Sequence, residues 1–241
     1  MTNVNFQERL EREGLSLTER QHLLFEDYRA LITEWNDRID ITAITEDKEI
    51  DEKHFIDSLL IFRGLRIPLN AKVADIGTGG GFPGVPMKIY DNSIELTLID
   101  SLNKRITFLD EVIKELGLTK TTAIHARAEE IFNDENHREK YDYAVSRAVA
   151  NFPTLLEYCL PAVKVGGYFL AMKGPDSKGE IDSARPALDA LGGKIVNIDE
   201  FTFSEVNYGR TIITVRKERE TPRKYPRGQG KPRKDPLILK K

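Results

Sequence analysis

The sequence predicts a doubly wound α/β fold with a mainly parallel, seven-stranded sheet, preceded by a helical extension and followed by a basic arm. Three observations lead there. From about residue 69 onward, short β-rich runs alternate with helix-like stretches, the pattern of parallel strands joined by helical crossovers. The first β-rich run, Lys72-Val-Ala-Asp-Ile76, passes into a turn with five glycines in the eight residues from Gly77 to Gly84. The second ends in Leu98-Ile-Asp100, an acidic residue where doubly wound sheets place a ligand crevice.

In chain order, Leu24, Tyr28, Leu31, Trp35 and Ile39 recur at steps of three and four, predicting an amphipathic helix with Thr18 as its N-cap. A second helix is predicted over 49–64, with Phe55, Leu59 and Phe62 on one face and Gly64 at its end. Residues 1–68 are therefore read as a helical extension. The strands of the main domain, 69–217, are KVADI, IELTLID, TTAIHA, YDYAVS and GGYFLAMK, with helices at 104–116, 153–160 and 182–191. Two further β-rich runs, KIVNIDEFTF and TIITVRKE, joined by SEVNYGR, read as an antiparallel pair at the sheet edge.

The 241 residues, 40% apolar and 31% charged, suit one large domain with a substantial core; no apolar run approaches the ~20 residues that span a bilayer. The single cysteine, Cys159, excludes an internal disulfide framework and a thiolate metal cluster. With no signal-like N-terminus, the expected compartment is the cytoplasm. No metal site is expected, and the default oligomeric state is a monomer. The net charge of −3 hides an asymmetry, because residues 216–241 carry eleven Lys/Arg against three Asp/Glu. That segment, broken by Pro222, Pro226, Pro232 and Pro236, reads as an extended basic arm (218–241) for nucleic acid, with a merely solvated tail as the competing reading.

The glycine turn is not a dinucleotide fingerprint, since Phe82 stands where the third glycine belongs, nor a P-loop, since no Gly-Lys-Ser/Thr follows. What remains is Asp75-x-Gly77-x-Gly79-x-Gly81, suited to an adenosyl cofactor without phosphates. Asp100 is the expected acceptor for ribose hydroxyls. Ala126-Arg-Ala-Glu-Glu130 follows the third strand, where a backbone amide and a carboxylate meet an adenine edge. Ser146-Arg-Ala-Val-Ala-Asn151 ends the fourth, placing Arg147 and Asn151 toward the cleft.

With these motifs in hand, the chain resembles one family, the small-subunit ribosomal RNA methyltransferases G, also called glucose-inhibited division protein B. The resemblance runs over roughly residues 20–217, through Glu34-Trp-Asn36, Lys53-His-Phe-Ile-Asp-Ser58, DIGTGGGFPGVPMKI, DSLNKRITFL, RAEE, SRAVANFPTLLEYCLP and GGYFLAMKG. It implies a Rossmann-like methyltransferase that uses S-adenosyl-L-methionine. The implied product is 7-methylguanosine in the 530 loop of 16S rRNA, at position 527 of that RNA. The family's cofactor contacts fall on Gly77, Phe82, Ala128, Glu129 and Arg147. Thr78 and Gly80 stand where relatives often have serine and alanine, and many members lack the basic tail.

Methyl transfer to a guanine N7 lone pair is an in-line displacement that needs no general base and no covalent enzyme intermediate, consistent with the sparse histidines. Cys159, in a helix-like run, is read as packing rather than as a nucleophile. SRAVANFP occupies the place where amine methylation commonly employs Asn/Asp-Pro-Pro-aromatic. Candidate catalytic residues are Arg147, Asn151 and Lys173; candidate substrate contacts are His54, Arg147 and Lys173. Phe82 is assigned to the cofactor and Trp35 to core packing. The partner is 16S rRNA or the small ribosomal subunit. The competing classes are a noncatalytic RNA- or ribosome-binding protein with the same fold, and a methyltransferase acting on a small molecule or protein.

Overall fold

The structure, a computed structural model, describes residues 6–203 and 208–238; most of the predicted SEVNYGR turn and the last three residues of the arm lie outside the described residues. Strands β1 (Lys72–Ile76), β2 (Glu95–Asp100), β3 (Thr121–His125), β4 (Tyr141–Arg147), β5 (Val163–Lys173), β6 (Gly193–Phe203) and β7 (Tyr208–Lys217) form one sheet in the order β3-β2-β1-β4-β5-β7-β6. The first five are parallel to one another, and β7 is antiparallel to both β5 and β6, its pairing with β6 being the one that the last two β-rich runs predict. Strand order reverses between β1 and β4, so the loops leaving their carboxyl ends diverge and open a crevice there.

Both faces of the sheet are covered, which is why β1 is buried at every position from Val73 to Ile76 rather than at alternate ones. Val73 and Leu98 face a core built with Phe25, Tyr28, Ile32 and Phe55 of the N-terminal helices and Phe108 and Val112 of the helix Asn103–Glu115. Ala74, Ile76 and Ile99 face a second core with Phe152, Leu155, Leu156 and Cys159 from the helix Phe152–Cys159. Cys159 is fully buried there, and Trp35 packs on Phe108 at 5.7 Å between ring centres.

The helix Glu19–Ile39 begins as predicted: the Thr18 hydroxyl accepts from the Gln21 amide while the Gln21 side chain accepts from the Thr18 amide. The predicted helix over 49–64 is irregular instead. It opens as Asp47–Ile50, widens into a π-helical stretch Asp51–Ile56, and continues as Asp57–Leu59 and Ile61–Gly64. A partner from β4 accounts for the change, because Arg147 Nη1 donates to the Lys53 carbonyl at 3.0 Å and competes with the local helical ladder. The predicted helix over 182–191 divides into Lys178–Ser183 and Arg185–Leu191, with Pro186 in the first turn of the second segment, where a missing amide hydrogen is harmless.

The basic arm also departs from expectation. Instead of extending, residues 218–238 pack on the second core, burying Thr221, Tyr225, Pro226 and Pro232 and forming one helical turn, Lys231–Lys234. Composition displays the prolines; the partners that hold the segment lie far away in sequence.

Candidate active site

The glycine turn is fixed by one carboxylate. Asp75 Oδ2 accepts from the Thr78 hydroxyl at 2.7 Å and from the Gly84 amide at 2.8 Å, joining both ends of the loop, while Oδ1 finds no partner among the described residues. Burial raises its pKa to about 7, against the lowering effect of those two hydrogen bonds. Asp75, expected to contact the cofactor, lies beneath the loop and off the cavity wall; its work is to brace. Gly77 has φ of +72°, and a Cβ there would stand 2.5 Å from Val149 Cγ2, so both backbone and space require glycine. From the other side, the Tyr28 hydroxyl of the N-terminal extension donates to the Gly80 carbonyl.

Asp100 ends β2 beside this loop. Its Oδ2 accepts from the Gly79 amide at 2.9 Å and from Arg105 at 3.2 Å, and its Oδ1 accepts from the Leu102 amide at 2.9 Å. The carboxylate thus organises the turn into the next helix while standing at the crevice, which leaves lone-pair capacity for a hydroxyl. Following β3, Ala128 and Glu129 open the short helix Ala128–Ile131, with Glu129 largely buried.

At the end of β4, Arg147 reaches across to the N-terminal extension. It donates to Asp57 Oδ2 at 2.7 Å and to His54 Nδ1 at 3.0 Å, and its guanidinium lies 4.9 Å from the centre of the Phe82 ring. His54 stacks on Phe82 at 4.4 Å with 19° between planes. Because Nδ1 faces an obligate donor, the proton belongs on Nε2, which is 2.8 Å from the Thr42 hydroxyl. Burial, reinforced by the Arg147 cation, lowers the His54 pKa to about 3, so the ring is neutral. Asp57 is also gripped by Arg210 of β7 at 2.5 and 2.7 Å, so one buried carboxylate ties two strands to the extension. Sequence reasoning quoted the motif holding Asp57 without singling it out. Its three-residue offset from His54 in a helical run was the available signal.

A cavity of about 500 Å³ opens over these residues. Gly77, Gly79, Phe82, Asp100, Ala128, Glu129, Arg147 and His54 line it, as do Arg105, Arg127 and Tyr158, which lie in quoted motifs without being singled out, and Ile41, Thr42 and Arg233, which the sequence did not point to. Asn151 and Lys173 are elsewhere. Asn151 caps the helix Phe152–Cys159, its Oδ1 accepting from the Thr154 amide at 3.0 Å, and Lys173 donates to the Ala150 carbonyl and pairs with Glu180 at 2.9 Å. Both shape the 148–151 loop rather than face the cavity. The volume is in the range of small-molecule sites. With Asp100 and Glu129 as acceptors and an apolar wall of Ile76, Ile99 and Ala126, the cavity offers what the hydroxyls and the flat ring of a nucleoside require.

The model of the rRNA small subunit methyltransferase G family matches residues 21–207. The chain belongs to that family. Ribosomal RNA small subunit methyltransferase G of Desulforamulus reducens is 52% identical over 92% of each chain, and that of Acetivibrio thermocellus is 49% identical over 93% of this chain and 92% of its own. Among solved structures, the Burkholderia thailandensis 1,6-didemethyltoxoflavin-N1-methyltransferase superposes with a TM-score of 0.56 over 80% of this chain and 90% of its own. A methyltransferase from Aquifex aeolicus superposes with a TM-score of 0.52 over 73% and 96%. At 15% and 16% identity these two share the fold. Among the described residues, no helix is long and apolar enough to cross a membrane.

Proposed function

We propose that the protein transfers a methyl group from S-adenosyl-L-methionine to N7 of a guanosine in the 530 loop of 16S rRNA, position 527 of that RNA. It does so as a single copy acting in the cytoplasm on the rRNA or the small subunit. The observation that carries the reading is a cavity at the β1/β4 switch point whose wall, apart from Arg233, lies within the stretch that the family model matches. When bound, the cofactor supplies an electrophilic methyl on a sulfonium.

The chain's residues bind and orient. Asp100 accepts from ribose hydroxyls, the Ala128 amide and Glu129 meet the adenine edge, and Gly77 and Gly79 let the backbone approach the amino-acid end. Phe82, with His54 stacked on it and Arg147 beside it, forms a wall of the cavity against which the cofactor is held, with His54 and Arg147 toward the target base. No group there is poised to remove a proton. The one histidine described on the cavity wall is neutral with both nitrogens engaged, and Asp75 is walled off below the loop. That favours a nucleophile with an available lone pair, as guanine N7 has, over one that must first be deprotonated. Methylation leaves the ring positively charged, and pairing with Asp57 offsets the charge of Arg147 on the cavity wall.

The test is methyl incorporation from labelled S-adenosylmethionine into small-subunit rRNA, offered naked and as subunits, with mass spectrometry of the nucleosides. Label recovered as 7-methylguanosine is the expected result. Label in another nucleoside overturns the assignment of N7. Cofactor binding with no label in any RNA favours the noncatalytic RNA-binding reading instead.

A further inference from the structure

Residues 218–238 lie beyond the family-matched part of the chain, yet they are docked residue by residue. The buried Arg138 guanidinium donates to the carbonyls of Thr221 at 2.7 Å and Tyr225 at 2.8 Å. Glu157, fully buried in the helix beneath, accepts from Arg227 Nε at 2.9 Å and Nη2 at 2.8 Å. The Thr154 hydroxyl donates to the Pro232 carbonyl at 2.9 Å. While these anchors face inward, Lys231, Arg233 and Lys234 on the single helical turn face solvent.

That turn sits at the cavity. Arg233 lines it and donates to the Val149 carbonyl at 3.0 Å, and Val149 is the residue whose side chain covers Gly77. Arg127 lines the same cavity, and Tyr158, also on the wall, lies within the electrostatic reach of both cations. A cationic rim favours a polyanion.

We propose that the docked C-terminal turn is a phosphate rail: Lys231, Arg233 and Lys234, beside Arg127, take the RNA backbone next to the nucleotide whose base enters the cavity. The rail rests on the reading that the substrate is RNA. Phosphate contacts position a nucleic acid without reading its sequence, so the rail sets register and affinity while the cavity selects the base. Docking fixes these charges at folding, and less ordering is left for the moment of binding.

The experiment compares two full-length triple variants that remove the same charge. K231Q/R233Q/K234Q strips the rail; R185Q/R223Q/K224Q strips three exposed cations that do not line the cavity. Binding to a small-subunit rRNA fragment is followed by fluorescence anisotropy across a salt series, and S-adenosylmethionine binding by calorimetry. The rail variant should bind RNA about tenfold more weakly at moderate salt, with a salt slope shallower by about two, and K231Q/K234Q, which leaves Arg233 on the cavity wall, should keep wild-type cofactor affinity. The control variant should change RNA affinity by no more than about twofold. Equal losses in the two variants would make the tail a diffuse charge and overturn the rail, and weakened cofactor binding in the rail variant would assign Arg233 to the cofactor wall and overturn it too. A wild-type protein that binds the cofactor but no rRNA would instead sink the reading of the substrate, and the rail with it.

Discussion

Asp75 braces the glycine turn from beneath. A carboxylate at the end of the first strand is where a ligand contact is expected, but here the side chain turns inward and clamps Thr78 and Gly84. Its folded pKa of about 7 lies above its ordinary value of 3.8, so the folded state holds a proton that the unfolded chain has released between those limits. The stability this contributes is complete below about pH 4 and is lost as pH rises through 7. Asp75→Asn, which keeps an acceptor for both clamped groups, removes that dependence. The variant should compare best with the wild type at pH 8 and worst at pH 5, with the difference in melting temperature changing steadily across pH 5–8. A difference that stays constant over that range would show that Asp75 does not titrate there.

At the scale of elements, the site depends on a joint between the N-terminal extension and the sheet. Asp57 pairs with Arg147 of β4 and Arg210 of β7, both of whose side chains are less than a tenth exposed. Removing one member of such a network strands the others' charge in a low-dielectric interior, which is costly even where the intact pair contributes little. Asp57→Asn should therefore destabilise the fold by about 3–5 kcal/mol in urea unfolding and speed amide exchange over residues 51–56, where Arg147 holds the π-helical turn. A loss under 1 kcal/mol would mean that solvent already screens the two guanidinium groups. The order of elements was legible because each strand announces itself by an apolar run and each crossover by its helical spacing. The glycine turn and Asp100 were legible because their chemistry is local. The π-helical turn and the Asp57 network were not. Periodicity over 49–64 carries no sign of a guanidinium arriving from residue 147, and a carboxylate whose partners are 90 and 153 residues away resembles any other helical aspartate.

For the whole molecule, the C-terminal segment changes what counts as the fold. Its composition reads as an extended basic arm because proline and lysine are abundant, while the groups that capture it, Arg138 and Glu157, sit in stretches with no evident bond to the tail. Both are buried and both have most of their polar partners in that segment: Arg138 in the carbonyls of Thr221, Pro222 and Tyr225, and Glu157 in Arg227. Deleting residues 221–241 removes more than a solubility tag, since it leaves a cation with few acceptors and a carboxylate with no countercharge in the core. The expected cost is about 2–5 kcal/mol in urea unfolding. If the unpaired Glu157 carboxylate is responsible for much of that, Glu157→Gln in the truncated chain should recover part of the loss, although the same substitution in the full-length chain destabilises. Opposite signs in the two backgrounds would place the ion pair at the centre of tail docking. A truncated chain as stable as the parent would show instead that the segment merely rests on the surface. The rail has to be tested by charge substitutions in the full-length chain for the same reason: removing the segment disturbs the core helix Phe152–Cys159, and with it the Val149 loop that covers Gly77.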